Sequence, residues 1–207
     1  MAYRRRQLLS YRYYNATMVL IIANVVVFLL QFASRGLVRE LALIPPEAVS
    51  GRWWTLVTYM FVHSTGSLYH IIFNMLGLMW FGTPVEREIG SDEFLSLYLI
   101  SGVAAGLFAM VLSIQVPVAI IGASGALFAV MLTFATLFPE AVIYAWFVPM
   151  KAPVAVLVFA GIAVIGTMTG FAPGVSHLTH LGGLGAGFLY VWLRIGRNPL
   201  DAFFRRR

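Results

Sequence analysis

The chain has 207 residues, 60% of them hydrophobic and only 11% charged, with a net charge of +6 and no cysteine. A soluble domain carries about 25% charged residues, so a soluble enzyme, a disordered chain and a nucleic-acid-binding domain are excluded as leading readings. The lack of cysteine also removes disulfide frameworks and thiolate chemistry.

Uncharged apolar runs of about the 20 residues needed to cross a bilayer recur along the chain. In order they predict helices over Thr17 to Phe32, Leu68 to Val85, Phe94 to Ser113, Gly122 to Phe138, Ala152 to Thr169 and His177 to Ile195. At 1.5 Å per residue each reaches about 25–30 Å. Arg4, Arg5 and Arg6 precede the first run, as in a secretory signal. Its apolar stretch is at or beyond the upper limit for a signal, and Phe32-Ala33-Ser34 is a poor cleavage site, so it reads as a span.

Basic residues fix the expected direction. Residues 1–16 hold Arg4, Arg5, Arg6 and Arg12 with no acid, and residues 194–207 hold Arg194, Arg197, Arg205, Arg206 and Arg207 against Asp201 alone. The two ends carry +8 between them and the middle −2. Basic flanks stay in the cytoplasm, so the pattern predicts an all-α bundle of six transmembrane helices with both termini cytoplasmic. The expected layout is a basic tail over 1–16, a membrane domain over 17–195 and a second basic tail over 196–207. The first outer loop, Ser34 to Ser67, holds Trp53, Trp54, Tyr59 and Phe61, aromatic types that prefer the headgroup level. Part of that loop is expected in the interface. No internal repeat or low-complexity stretch is evident.

With that direction, helices two, four and six enter from the outer face, and their first turns carry the awkward polar residues. These are His70 and Asn74, Ser124, and His177 and His180. Intramembrane ionisable groups are costly and face a bundle interior or a wet cavity. Ser124 lies in Gly122-Ala123-Ser124-Gly125 at a helix start, where backbone N–H groups lack internal partners and the dipole is positive. Such donors suit a developing oxyanion, and a serine needs a base within hydrogen-bond reach to act as a nucleophile. His180 is the best candidate. It shares a face with Gly183 and Gly187, and small residues there permit close packing against Gly125, Ala126 and Ala129. His70 and Asn74, four residues apart, can donate to the oxyanion from the other side. Only Glu40 and Glu47, in the outer loop, are acids that could reach the base, so a Ser–His dyad is expected rather than a triad. Phe128, one turn below Ser124, offers a stacking surface for the imidazole.

Other readings compete for each residue. A serine in a small-residue membrane helix is most often a packing residue, and Gly-x-Ser-Gly alone is a weak signal. Asn24 reads as interhelical hydrogen-bond glue. His63 and His177 read as interfacial or supporting residues without a catalytic role. His177 and His180 sit at metal-ligand spacing, but no His-Glu-x-x-His occurs, so neither a metal nor any other cofactor is expected. A channel or transporter would place its polar groups near the midplane and show repeat symmetry. Here they lie at one end and the halves differ.

The residues resemble those of the rhomboid intramembrane serine proteases over nearly the whole chain, from Thr17 to Ile195. His70-Ile71-Ile72-Phe73-Asn74 is similar to the family's His-x-x-x-Asn, and Gly82 through Gly90 to its Gly-x-x-x-Glu-Arg-x-x-Gly turn. Gly122-Ala123-Ser124-Gly125 resembles the nucleophile motif, and His180 with Gly183 and Gly187 the His-x-x-Gly-x-x-x-Gly motif. The resemblance implies Ser124 as nucleophile, His180 as general base and then acid, and His70 and Asn74 as oxyanion donors. It implies transmembrane protein substrates cut at or near the outer boundary of their spans, and helix five as the gate, flanked by residues 170–174. The expected setting is a lipid bilayer, a bacterial inner membrane, with the site toward the extracytoplasmic face and no nucleic-acid partner. A client-binding relative that does not cut is the non-enzymatic rival, and a small transporter the weaker one. Two departures touch the periphery. Many members have Trp-Arg in the outer loop, whereas Thr55 follows Trp54 and Arg52 precedes it, and some carry tyrosine where Phe128 stands.

Overall fold

The computed structural model describes residues 9–34, 36–145, 147–170 and 176–204. Arg4, Arg5, Arg6, Arg35, Arg205, Arg206, Arg207 and residues 171–174 of the expected gate loop lie outside the described residues.

The first helix, α1 (Ala16–Ala33), turns Ala16, Thr17, Leu20, Asn24, Phe28 and Gln31 inward. Its large apolar side chains, Val19, Ile22, Val26, Leu29 and Phe32 among them, face outward. Small and polar groups inside with bulky hydrophobes outside invert the pattern of a soluble helix, as a lipid surround requires. Asn15, preceding the helix, makes no side-chain cap. The cap comes from Glu86 instead, which accepts the Ala16 N–H, the Thr17 N–H (2.9 Å) and the Thr17 hydroxyl (2.6 Å). A carboxylate at the positive end of a helix is favoured.

The outer loop is ordered into α2 (Leu37–Leu41), α3 (Pro45–Val49), α4 (Thr55–Thr58) and a 3₁₀ turn over Tyr59–Phe61. Trp53 is 71% exposed, but the expectation for Tyr59 is corrected. Tyr59 is fully buried and donates to the Gly102 carbonyl (2.7 Å) inside the bundle. The phenol can enter because Gly106 leaves room for its ring, a packing fact that composition does not carry. Arg52 organises the rest of the loop. It bonds Glu40 (2.9 Å), Glu47 and the Arg39 carbonyl, while its guanidinium lies 5.7 Å above the Trp54 ring.

A continuous rod follows over Leu68–Ile89. It comprises α5 (Leu68–Gly77), a π-helical turn and α6 (Thr83–Ile89), and so runs four residues past the expected Val85. Then come α7 (Ser91–Leu112), α8 (Ser124–Leu137), a hairpin of β1 (Val142–Ala145) and β2 (Val148–Lys151), and α9 (Ala152–Thr169). The chain ends with α10 (His177–Tyr190), a π-helical turn over Val191–Ile195, and α11 (Pro199–Phe204). The hairpin strands pair antiparallel, Val142 opposite Lys151 and Ala145 opposite Val148.

Among the described residues four helices, Ala16–Ala33, Leu68–Ile89, Ser91–Leu112 and Ala152–Thr169, are long and apolar enough to cross a membrane. The chain is therefore an all-α, multi-pass membrane bundle with one small hairpin. The α8 helix is shorter than its sequence suggests, 14 residues or about 21 Å. Gly122 has φ +110° and gives its N–H to the Tyr59 carbonyl (2.9 Å), which holds the chain out of helical geometry until Ser124. Leu43 and Ile120 exchange two backbone hydrogen bonds nearby, pinning the loop to the approach of α8. The helix thus starts inside the bundle rather than at its rim.

The α8 and α10 helices touch along their small faces. A Cβ added at Gly183 would overlap the Gly125 carbonyl oxygen, and one at Gly187 would stand 2.8 Å from the Ala129 Cβ. Asn24 donates to the Leu20 carbonyl of its own helix (2.8 Å) and also sets its side chain against the Tyr98 hydroxyl of α7, in keeping with the interhelical role expected of it.

Candidate active site

Ser124 is the first residue of α8, so the N–H groups of Ser124, Gly125 and Ala126 have no intrahelical acceptor. The first intrahelical bond runs from the Leu127 N–H to Ala123. His180, one turn into α10, comes within 2.8 Å of the Ser124 Oγ through its Nε2. The close approach of α8 and α10 at Gly183 and Gly125 makes this contact geometrically possible.

The Phe128 ring lies parallel to the His180 ring, with centroids 4.3 Å apart and planes 9° apart. His177 meets His180 edge-on at 6.1 Å. Glu40 and Glu47, the acids considered for the base, are engaged by Arg52 and Arg39 instead.

His70 approaches from α5. Its Nδ1 accepts the Ser64 backbone N–H at 3.4 Å, which leaves Nε2 as the proton-bearing nitrogen of a neutral ring. That Nε2 lies against the turn before Ser124, 2.7 Å from where a Gly122 Cβ would be. Asn74 is placed differently. Its Nδ2 donates to the His70 carbonyl one turn back (2.7 Å), and its buried Oδ1 has no partner among the described residues. The structure therefore brings Ser124 and His180 into contact and sets His70 beside them, with Asn74 bonded to its own helix. An amide nitrogen carries two hydrogens, so one remains for another acceptor.

His63 is fully buried, not interfacial, with its ring 5.0 Å from that of His70. Burial and the neighbouring His70 push its imidazole down to about 4. Gln31 of α1 clamps it in place, donating to the His63 carbonyl (2.6 Å) and accepting its N–H (3.0 Å). Sequence reasoning missed Gln31, although a glutamine inside an apolar span is a signal of a buried partner.

The bundle with a helix-initial serine bonded to a histidine of a neighbouring helix defines a class of membrane protein, and comparison with known proteins agrees. The Rhomboid domain family model matches residues 50–197. The chain is 32% identical over 138 residues to RHOMBOID-like protein 5 of Arabidopsis thaliana, covering 67% of this chain and 43% of that one. It is 32% identical over 159 residues to the rhomboid protease GluP of Bacillus subtilis, covering 75% and 29%. It is 37% identical over 100 residues to the rhomboid protease AarA of Providencia stuartii, covering 44% and 35%. The chain thus spans less than half the length of each of these relatives. It belongs to the rhomboid family and is a multi-pass integral membrane protein.

Proposed function

We propose that this protein is an intramembrane serine endopeptidase that cuts transmembrane protein substrates with a Ser124–His180 dyad. The observation that carries the reading is the 2.8 Å contact between Ser124 Oγ and His180 Nε2 at the start of a helix within a rhomboid-family bundle. His180 Nε2 accepts the serine proton as Oγ attacks the scissile carbonyl. The resulting oxyanion is met by the Ser124 N–H, the His70 Nε2–H and the spare Asn74 N–H. His180 then returns its proton to the leaving amine. A water molecule, deprotonated by the same ring, releases the acyl chain from Ser124. Substrate helices must unwind locally to present a carbonyl, because helical carbonyls are already hydrogen-bonded. Substrates with Gly or Pro near the cut are therefore preferred.

The supporting topology is six passes through a bacterial inner membrane over residues 17–195. Both basic tails, 1–16 and 196–207, are cytoplasmic, and the site faces outward. Residues 9–15 dock on the end of the bundle that carries Glu86 and Glu93, where the Ser91 N–H bonds the Arg12 carbonyl (2.7 Å). Arg194 reaches Glu93 at the same end. Residues 9–15 and Arg194 on one side agree with an even number of passes.

The test is cleavage of a single-span substrate with a Gly-rich helix top by the purified protein, with products mapped by mass spectrometry. Wild type cleaves, and Ser124→Ala is at least about 10⁴-fold slower. Equal cleavage by both would overturn the assignment, and substrate retention without cleavage by either would establish client binding instead. The rate should fall in acid as His180 takes up a proton, since only neutral imidazole accepts the serine proton. A flat acid limb would remove the histidine from the mechanism.

A further inference from the structure

Among the described residues no carboxylate bonds the His180 ring, so its plane is set by what the ring touches. The torsion that orients an imidazole is broad, whereas a hydrogen bond weakens steeply once it is misaligned. Two of the ring's contacts lead to α9. Phe128, stacked on His180, meets the Phe159 ring of α9 edge-on at 6.4 Å and 72°. His177, edge-on to His180, rests on Gly166 of α9 so closely that a Cβ there would overlap its Nε2, Cε1 and Cδ2 atoms. Phe159 and Gly166 are two turns apart, and Val156 and Ala163 extend the same inward stripe. The base of α9 is tied down by the hairpin, with the Ala152 N–H on the Ala141 carbonyl (2.9 Å) and Lys151 on Glu140 (2.9 Å).

We propose that α9 orients His180 through two aromatic paths, Phe159 to Phe128 and Gly166 to His177, so that Phe159 and His177 are positioning residues. Displacing α9 from the bundle then slackens the Ser124–His180 pair. The helix is a working part of the site as well as a barrier, and cleavage requires it to be seated. The proposal rests on Ser124 and His180 acting as a dyad.

The experiment measures how fast a soluble fluorophosphonate labels Ser124 in the purified full chain, beside cleavage of a single-span substrate. A small probe entering from water does not need α9 to move aside. Phe159→Ala is expected to slow labelling by about 10- to 100-fold and to lower kcat with KM unchanged. Phe159→Tyr, which keeps the ring, restores both. Gly166→Ala, which displaces His177, slows labelling as well. Gly161→Ala on the same helix has nothing within 4 Å of the added Cβ among the described residues and leaves the rate at the wild-type value. Thermal midpoints are measured in parallel, and should Phe159→Ala fail to fold, Gly166→Ala decides. Labelling of both variants at the wild-type rate or faster would overturn the proposal, including the case where substrate cleavage rises because α9 is only a barrier. Wild type that is not labelled, or Ser124→Ala labelled equally, would remove the dyad itself and this proposal with it.

Discussion

The two ends of the bundle bury similar polar groups and treat them in opposite ways. At one end every carboxylate oxygen of Glu86 and Glu93 is engaged. Glu86 takes Ala16, Thr17 and Ser91, and Glu93 takes the Tyr190 hydroxyl (2.6 Å), the Arg194 guanidinium (3.0 Å) and the Leu9 N–H (3.2 Å). At the other end, among the described residues, the Asn74 Oδ1 has no hydrogen-bond partner and the buried His63 ring has only the Phe61 backbone. An unsatisfied buried group costs about 1–3 kcal/mol, so the histidine end carries a penalty that the carboxylate end avoids. Saturation makes a clamp. Spare donors and acceptors suit the peptide and water that the proposed reaction requires.

This contrast sets what each substitution should do. Ser124→Ala has the largest effect, the loss of cleavage described above, with the thermal midpoint in detergent unchanged. Glu86→Ala acts in the opposite sense. Stranding the buried donors of Ala16, Thr17 and Ser91 should cost about 3 kcal/mol or more of stability, while the activity per folded molecule stays within a few-fold of wild type. An equally stable Glu86→Ala would dissolve the distinction between the ends. Gly183→Ala lies between them, since its methyl must push α10 off the Gly125 carbonyl. Overpacking of this kind costs about 1–3 kcal/mol. The Ser124–His180 contact should lengthen with it, so the fall in activity exceeds the loss of folded protein.

The smallest effect belongs to His63. Its folded imidazole, at about 4, lies below the ordinary 6.5, so the unfolded chain takes up the proton first. Stability is therefore present above pH 6.5 and is lost as the pH falls toward 4. At pH 5.5 the loss is about 1.4 kcal/mol, one pH unit of a single proton. His63→Phe should flatten the thermal midpoint between pH 7 and pH 5.5, and an unchanged slope would show that another group carries it.

Much of this was legible in the sequence because local spacing carries it. His180, Gly183 and Gly187 mark one helical face, and Gly-Ala-Ser-Gly marks a helix start, so the Ser124–His180 pairing follows from two short segments. The stacking place of Phe128 follows from its position one turn below Ser124. The burial of Tyr59 is not legible locally, because the room for its ring is made by Gly106, more than forty residues away. That Asn24 and Asn74 each spend one amide hydrogen on the carbonyl four residues back is not legible in the sequence, because the choice depends on what faces them. The Glu86 cap joins residues 70 positions apart, so no local window contains both the acid and the helix it caps.

The sequence by itself determined that this is a membrane bundle of the rhomboid family, which residues are the candidates for its chemistry, and that the helices of Ser124 and His180 hold no carboxylate. Those properties follow from residue type and from periodicity along single helices. Only the tertiary structure decided that α8 begins at Ser124 inside the bundle, that Arg52 withdraws Glu40 and Glu47 from the site, and that α9 touches His180 through Phe128 and His177. Each of these is set by contacts between distant segments, where shape and the satisfaction of buried polar groups choose the partner.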